Sequence, residues 1–389
     1  MGYTASEMIE YTAREGFRHD RPPAVGVLVV NLGTPEAPTA KALRPYLRQF
    51  LSDPRVIELP AWKWQPILNL FVLTKRPRAS AHAYGTVWTD EGSPLLRITE
   101  RQAAALRKLL AERVGTPVRV AVGMTYGEPS VATALRRLRE EGCTRLLVLP
   151  MYPQYSGTTV GSVFDTVARE LVRWRVVPEL RTIHGWHDEP GYVRSLAASI
   201  REVWERPESE GGGPPEKLLF SFHGIPLRYF EGGDPYHCLC HKTGRLVAEE
   251  LGLSEDRWLV TFQSLFGKEE WIKPYTAETV TAMAKAGVRS LDVVCPGFSA
   301  DCLETLEEID VLNRGFFEEN GGERFRYVPA LNDRAGHVRF LADLVERHLQ
   351  GWVESPGAYD RAAAQRAARE AEARAEALEA KGVSATAGY

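Results

Sequence analysis

Short runs of β-branched and apolar residues alternate along this chain with longer segments in which apolar residues recur every three or four positions. Seven such runs predict strands at 25–31, 118–122, 146–149, 218–222, 258–262, 291–294 and 325–328. Six amphipathic segments predict helices at 98–113, 131–141, 163–174, 192–204, 243–251 and 337–349. Because this alternation is typical of parallel sheets that helices cover on both faces, we predict an α/β fold.

A cluster of glycine, proline and charged residues at 207–215 divides this pattern into two similar halves. The length of 389 residues also exceeds the size at which a single core keeps growing. We therefore predict two α/β domains, at 25–205 and 216–350. The segment 356–389 is rich in alanine, glutamate and arginine, which predicts a helical or disordered tail with little to bury.

Charge and composition narrow the function classes. The chain has 48 lysines and arginines against 51 aspartates and glutamates, with no strongly basic block, so a nucleic-acid partner is not expected. The first 24 residues contain no continuous apolar stretch of the kind a secretory signal needs, and the longest largely apolar segment, 67–73, is far shorter than the ~20 residues of a membrane span. We expect a cytoplasmic protein whose five scattered cysteines are reduced.

His223 lies at the end of a predicted strand, where the chain then breaks at a Gly-Ile-Pro sequence. Ligands of parallel sheets bind just outside the carboxyl ends of the strands, so this position favours a functional imidazole. A histidine at a strand end is also often structural and bonded to a backbone carbonyl. In a functional role, its side chain would accept a proton near neutral pH or bind a divalent transition metal.

A second strand end, after residue 294, leads into a helix start rich in carboxylates. Asp301 and Glu304 have the spacing of a capping box, which would explain these two residues without a function. It does not explain Glu308, which lies one turn beyond Glu304 on the same face, where two like charges are mildly destabilising. A line of carboxylates suits a cation that is passed on and not retained.

Aromatic side chains follow several strand ends, and we predict that together they wall a pocket for a flat apolar ligand, although packing explains any one of them. They are Tyr126, Tyr152, Tyr155 and Trp271. The apolar segment 62–72, followed by basic residues at 75, 76 and 78, resembles the lip of such a pocket. An ordinary docked helix explains this segment nearly as well, and the basic residues would suit an anionic lipid or a substrate carboxylate.

Two further motifs do not predict a cofactor. The sequence HCLCH at 237–241 has a Cys-x-Cys spacing that is unusual for zinc sites, and no second cysteine pair follows it. The strand-end sequence NLGTP at 31–35 lacks the glycine series of a dinucleotide site. A structural metal and a nucleotide cofactor are therefore not expected.

An ordered set of motifs resembles the ferrochelatase family over most of the chain, from about residue 25 to residue 349. The motifs are VVNLGTP at 29–35, GSPL at 92–95, YPQYS at 152–156, FSFHGIP at 220–226 and PGFSADCLETLEE at 296–308. The resemblance implies two Rossmann-like domains with a cleft between them. It also implies that ferrous iron is inserted there into a porphyrin, late in haem synthesis.

Carried over by position, the resemblance implies roles for individual residues. His223 and Glu304 correspond to the active-site pair, and Glu308 to a metal-binding position one turn further out. Tyr126 and Trp271 correspond to positions in the porphyrin wall, with Tyr152 as a further substrate-binding residue. Metallation removes two pyrrole protons and strips water from the iron, so a base and a weakly holding carboxylate are the residue types it needs.

The chain departs from the family at certain cysteine and histidine positions. Some members have a histidine where this chain has Cys302, so any role of that histidine does not transfer. The cluster-bearing animal enzymes have a cysteine after the Tyr-Ser pair and three more near the C-terminus, whereas here Gly157 follows Ser156 and no cysteine follows Cys302. We therefore expect no [2Fe-2S] cluster of that arrangement.

The leading hypothesis from the sequence is the insertion of Fe²⁺ into protoporphyrin IX, accompanied by a peripheral membrane contact. Insertion into coproporphyrin III is the closest alternative, because it shares the chemistry and differs by two propionates. A tetrapyrrole or metal carrier without turnover and a cobalt or nickel chelatase are the others, since histidine and carboxylate do not by themselves select one first-row metal.

Overall fold

The computed structural model describes Tyr11 and residues 24–382, and within them eight strands form two parallel sheets. The first sheet has the order β2-β1-β3-β4 and consists of β1 (Ala24–Gly33), β2 (Val118–Tyr126), β3 (Cys143–Pro150) and β4 (Glu179–Thr182). The second has the order β6-β5-β7-β8 and consists of β5 (Lys217–His223), β6 (Trp258–Gln263), β7 (Ser290–Val294) and β8 (Arg324–Val328). Each half thus repeats one topology, and the predicted α/β fold is confirmed.

Helices cover both sheets and connect their strands. In the first half they are α1 (Ala40–Leu51), α2 (Ala61–Ile67), α3 (Leu73–Val87), α4 (Pro94–Arg113), α5 (Val131–Glu140), α6 (Ser162–Leu171) and α7 (Pro190–Trp204). In the second they are α8 (Leu227–Glu231), α9 (Tyr236–Leu251), α10 (Thr276–Lys285), α11 (Arg314–Glu319), α12 (Ala335–His348) and α13 (Arg361–Glu379). Three π-helical segments, Leu68–Val72, Gly157–Gly161 and Glu304–Asn313, precede α3, α6 and α11.

The main disagreements with the predicted elements have physical causes. Strand β4 was missed because its four residues are mostly charged or polar and lie at the edge of the sheet, where no apolar alternation is needed. Helices α1 and α3 were missed although they are 12 and 15 residues long, and each contains a proline, at Pro45 and Pro77, which reads as a helix break. The tail does form the helix α13.

Two sequence-based expectations stay predictions. The domain boundaries at 205 and 216 are not decided by the sheets themselves. The expected lack of a secretory signal concerns the first 24 residues, and residues 1–10 and 12–23 lie outside the described part of the chain. Residues 383–389 of the predicted tail also lie outside it.

The largest hydrophobic cluster is shared by the two sheets. It takes Val27 and Leu149 from the first sheet and Phe220 from the second, together with buried faces of α4, α7, α9 and α12. Polar bonds reinforce this contact, since the buried Gln102 side chain on α4 donates to the backbone carbonyl of Ser299 over 2.8 Å. Full burial of each large apolar side chain contributes about 1.5–3 kcal/mol, so the halves are joined by a substantial core.

Helices α1 to α3 form a separate hydrophobic cluster beside the carboxyl ends of β1 and β2. Tyr46, Trp64, Leu68 and Tyr84 are buried in it, and Tyr126 at the end of β2 belongs to it as well. Leu303, which precedes the π-helical segment of the second half, packs against the same cluster. These helices therefore extend from the first half over the carboxyl ends of the second.

Candidate active site

Three strand or loop ends of the second half meet at one place. The register pairs His223, the last residue of β5, with Gln263, the last residue of β6. The Gln263 amide donates a hydrogen bond of 2.8 Å to the backbone carbonyl of Glu304, and its own backbone carbonyl accepts from Gly224 over 2.8 Å. The parallel arrangement thus brings His223 and Glu304 to the same edge of the sheet, as the sequence predicted.

The imidazole of His223 is half-buried and has a defined orientation. Its Nδ1 lies 2.7 Å from the backbone carbonyl of Gly224. Since a carbonyl only accepts, this bond requires the hydrogen on Nδ1 and leaves a lone pair on Nε2. The bond to a backbone carbonyl, which the sequence analysis gave as the structural alternative for His223, is therefore present. The same bond leaves Nε2 available as a base or metal ligand.

Glu308 is clamped by the residue that follows β6. Ser264 donates to its carboxylate from the backbone nitrogen over 2.7 Å and from the hydroxyl over 2.5 Å. Burial raises the pKa of Glu308, the bonds from Ser264 and the charge of His223 oppose this, and the negative charge of Glu304 adds to it. Glu308 is thus within electrostatic reach of both His223 and Glu304.

Four neutral side chains are close enough to Glu304 to feel its charge. They are Tyr46, Tyr84, Tyr152 and Cys302, and the pKa of each is raised well above its ordinary value. Burial is the largest cause in every case, and the negative charge of Glu304 adds to it. The phenols and the thiol therefore stay protonated and uncharged beside Glu304.

A half-buried arginine approaches the same pocket from α3. The guanidinium carbon of Arg76 lies 4.4 Å from the ring centroid of Phe266, in the loop after β6. Burial lowers the pKa of Arg76, and the charge of Glu304 opposes that change. Its stacked, weakly hydrated guanidinium is well suited to bind a carboxylate of a ligand.

Glu304 and Glu308 lie in a π-helical segment and not in an α-helix. In Glu304–Asn313 the wider turn of i→i+5 bonding brings residues four apart nearly above one another. The predicted capping box is absent, because the Asp301 carboxylate accepts instead from the hydroxyls of Tyr327 and Thr305, over 2.5 and 3.0 Å. The capping alternative is therefore wrong, and Glu304 is not engaged as the partner of an N-cap.

Three of the four predicted wall residues were also predicted to bind substrate, and they differ in position. Trp271 is 8% exposed, donates its indole N–H to Phe266 over 2.9 Å and has its ring centroid 6.4 Å from that of His223. Tyr152 is half-buried and within electrostatic reach of Glu304. Tyr126 is only 3% exposed and donates to Asp53 over 2.8 Å, so it lies behind the pocket wall.

The apolar lip predicted at 62–72 divides into a buried and an exposed face. Trp64 and Leu68 are buried in the cluster of α1 to α3. Trp62, Leu70 and Phe71 are 74%, 66% and 66% exposed. In the part of the chain that the structure describes, no helix is long and apolar enough to cross a membrane.

Sequence reasoning missed several residues of the site. Gln263 and Ser264 follow a third predicted strand, so the strand-end rule that selected His223 could have selected them too. Tyr46, Tyr84 and Arg76 gave no local signal, because they reach the pocket from helices of the other half. Among residues 24–382, no three histidine, cysteine, aspartate or glutamate side chains converge on one metal position.

Two similarly ordered parallel sheets, with a histidine and carboxylates at the carboxyl ends of one of them, form a chelatase-like α/β fold. The solved structure "SirB from Bacillus subtilis with Fe3+" has this fold, with a TM-score of 0.50 and 11% identity over 83% of this chain and 95% of that one. At that identity the likeness concerns the fold alone.

The family is shown by sequence comparison. The ferrochelatase family model matches residues 24–349. The ferrochelatase of Thioalkalivibrio sulfidiphilus is 54% identical over 96% of this chain and 100% of that protein. The ferrochelatase of Hydrogenovibrio crunogenus is 52% identical over 90% of this chain and 92% of that protein. The chain belongs to the ferrochelatase family.

Proposed function

We propose that this protein inserts Fe²⁺ into protoporphyrin IX to give protohaem, the terminal step of haem synthesis, with release of the two pyrrole protons. One observation supports this most directly. His223, whose Nδ1 is bonded to the Gly224 carbonyl, and Glu304, whose backbone carbonyl is bonded to Gln263, lie at one sheet edge near buried aromatic side chains. Family membership supports the metal insertion itself.

In this proposal, His223 and Glu304 act on the pyrrole nitrogens and the metal. Each pyrrole N–H bond that breaks leaves its electron pair on nitrogen for the metal, and its proton passes to a base. Nε2 of His223 has the lone pair that a proton acceptor needs, and a neutral imidazole is equally a ligand for ferrous iron. His223 acts either as the base or as the metal ligand, and Glu304 takes whichever of these two roles His223 does not.

Glu308 would hold the metal before insertion. A carboxylate with a raised pKa binds a proton more readily than an ordinary one, so protons compete with the metal and the ion is released easily. The wide π-helical turn aligns Glu308 with Glu304. The pair thereby offers two successive positions along one face.

The macrocycle would be gripped by the aromatic walls. Trp271 and Tyr152 border the space around His223 and Glu304 and offer flat apolar surface. Arg76 is placed to bind a propionate, because its half-buried guanidinium faces the same pocket. Tyr126 would act indirectly in this arrangement, by supporting the wall from behind.

The central test compares active-site variants with a surface control. His223→Ala and Glu304→Gln are expected to lower the initial rate of Fe²⁺ insertion at least a thousandfold, which corresponds to about 4 kcal/mol of lost transition-state stabilisation. Their thermal unfolding should remain that of the parent. Glu319→Gln, an exposed carboxylate on α11, should keep the full rate. Near-parental turnover in both active-site variants would refute the proposed function.

The substrate and the class of activity need separate assays. Parallel kcat/KM measurements with protoporphyrin IX and coproporphyrin III are expected to favour protoporphyrin, and a reversed ratio would assign the coproporphyrin reaction instead. A carrier without turnover would form an amount of metalloporphyrin equal to the amount of protein, and the spectral change would then stop. Competition among Fe²⁺, Co²⁺ and Ni²⁺ in the same assay identifies the preferred metal.

We further propose a cytoplasmic location with a peripheral contact to an anionic membrane surface. The exposed side chains of Trp62, Leu70 and Phe71 form an apolar face, and Lys63 lies beside Trp62, with its ammonium 5.0 Å from the indole centroid. Leu70→Glu with Phe71→Glu should reduce flotation with anionic phospholipid vesicles severalfold. Val176→Glu, at an equally exposed apolar position, is the control.

The absence of a [2Fe-2S] cluster is also a proposal. Its support is the sequence, in which the cysteine positions of the cluster-bearing enzymes are not filled. Four of the five cysteines are also buried, and only Cys238 is exposed. Iron and labile-sulfide analysis of anaerobically purified protein is expected to give neither, and two of each per chain would contradict the proposal.

A further inference from the structure

Two histidines on the first turns of α9 lie side by side outside the machinery described above. His237 and His241 are four residues apart, and their ring centroids are separated by 4.5 Å with an angle of 48° between the planes. Both side chains are half-buried. The sequence analysis considered the cysteines of this segment as possible metal ligands. Cys240 is fully buried in the core, so the two imidazoles are the pair of side chains available to a ligand.

The spacing of the two rings matches that of a bidentate metal site. A metal bound at about 2.1 Å from an imidazole nitrogen lies about 3.2 Å from the centroid of that ring. Two imidazoles in adjacent positions of an octahedral or square-planar ion, at about 90°, then have centroids about 4.5 Å apart. The observed separation of the ring centroids is 4.5 Å, which matches this value.

The surroundings fix one ring and keep both neutral. His237 packs between Phe230 and Phe262, at centroid distances of 5.1 and 5.4 Å, and hydrogen-bonds the backbone of Lys273. An imidazole that donates one N–H to a carbonyl presents the lone pair of its other nitrogen, which is the usual arrangement of metal-binding histidines. Burial lowers the pKa of both His237 and His241, so both are neutral ligands at pH 7.

We propose that His237 and His241 form a second metal site, which binds one Cu²⁺ or Ni²⁺ through two imidazole nitrogens, with water at the other positions. Two protein ligands are the full set, because within the described residues no third histidine, cysteine or carboxylate completes a group of three. The proposed porphyrin metallation uses neither histidine, so this site is independent of it.

Copper binding gives the most direct test. Metal-free, untagged full-length protein is titrated with Cu²⁺ and followed by calorimetry and by electron paramagnetic resonance. Apart from any ion bound at His223 and Glu304, we expect one Cu²⁺ per chain with two coupled nitrogens. In His237→Gln and His241→Gln we expect one coupled nitrogen at this site and an affinity at least tenfold lower. His348→Gln, a half-buried histidine on α12, is the matched control and should bind as the parent does.

Further variants show whether a loss of copper binding comes from the proposed site, from His223 or from a change in folding. His223→Ala should retain the two-nitrogen signal, because it alters only the proposed active site. His237→Gln and His241→Gln should unfold at the parental temperature and keep the parental rate of Fe²⁺ insertion. Unchanged copper affinity in both variants, or loss of the signal in His223→Ala alone, would overturn the second site without touching the proposed function.

Discussion

The side-chain amide of Gln263 donates a 2.8 Å hydrogen bond to the backbone carbonyl of Glu304. The other end of this amide accepts from Ser221 over 2.7 Å, inside the second sheet. Gln263 is 3% exposed, so both bonds lie away from water. One buried side chain therefore fixes the start of the π-helical segment against the strand that ends at His223.

Replacement of Gln263 by leucine should affect both stability and catalysis. It removes these bonds and leaves the buried Ser221 hydroxyl with fewer partners, which costs about 1–3 kcal/mol of the free energy of unfolding. Because Glu304 is no longer positioned, kcat should fall at least tenfold. Denaturant unfolding and initial-rate kinetics measure the two effects.

Gln102→Leu is the control for this prediction. Gln102 is also buried and donates to two backbone carbonyls, but these belong to Ser299 and Asn332 and not to Glu304. It should lose a similar amount of stability while its kcat stays near the parental value. Equal kinetic loss in both variants would show that Gln263 has no specific positioning role.

Glu308→Gln should change how stability depends on pH. The folded-state pKa of Glu308 is raised above its ordinary value of 4.5, chiefly by burial. Its contribution to stability is therefore fully present below pH 4.5 and is lost as pH rises through the folded-state pKa. The variant lacks this loss, so its stability relative to the parent should increase with pH across that window.

Denaturant midpoints measured at intervals from pH 4 to pH 8 test this expectation. Glu319→Gln, with an exposed carboxylate, should run parallel to the parent at every pH. A decrease in the stability of Glu308→Gln relative to the parent as pH rises would mean that the pKa of Glu308 is lowered in the folded protein.

Tyr126→Phe should act on stability and not on porphyrin binding. Tyr126 donates to the buried carboxylate of Asp53 over 2.8 Å, and its ring packs against Phe50 at 5.1 Å. Removal of the hydroxyl leaves an Asp53 oxygen without this partner, which costs about 1–3 kcal/mol. The KM for porphyrin should change less than twofold. A tenfold higher KM with unchanged stability would place the hydroxyl in contact with substrate.

Gly33→Ala should be one of the most damaging small substitutions in the chain. Gly33 has a φ of 113°, and a Cβ built on it lies 1.7 Å from the backbone oxygen of Tyr126. Relief requires the two paired strands to separate, so we expect a loss above about 4 kcal/mol or no soluble protein.

Gly233→Ala isolates the conformational part of that cost. Gly233 has a similar φ of 102°, but nothing lies within 4 Å of a Cβ built there. Only the left-handed conformation then opposes the methyl group, at about 1–2 kcal/mol. Equal losses for the two substitutions, read from denaturant midpoints, would mean that the close contact at Gly33 is relieved without cost.

The sequence predicted those parts of the site that belong to one strand and its following turn. His223 was found because a buried strand of β-branched and aromatic residues must end where its ligand edge begins. Glu304 and Glu308 were found from their spacing, and the structure places them beside His223 through Gln263. Local periodicity and the rule for parallel sheets selected these positions, whereas their roles were implied by the resemblance to the ferrochelatase family.

The remaining parts depend on contacts between distant segments. The π-helical bonding of Glu304–Asn313 has no separate pattern of apolar residues, so it was predicted as an ordinary helix. Tyr46, Tyr84 and Arg76 reach Glu304 only because α1 and α3 fold over the other sheet. Strand β4 exists because β3 offers it an edge. No residue-by-residue pattern encodes these three outcomes.

The core shared by the two sheets limits how a rigid macrocycle can enter. A hinge motion between the halves would expose that core to water, which costs a free energy of roughly 25 cal/mol for each Å² of apolar surface exposed. Helices α1 to α3 have their own cluster, so a swing of α2 and α3 leaves the shared core intact. Arg76 on α3 stacks on Phe266 in the second half, so any displacement of α3 from that half has to break this contact.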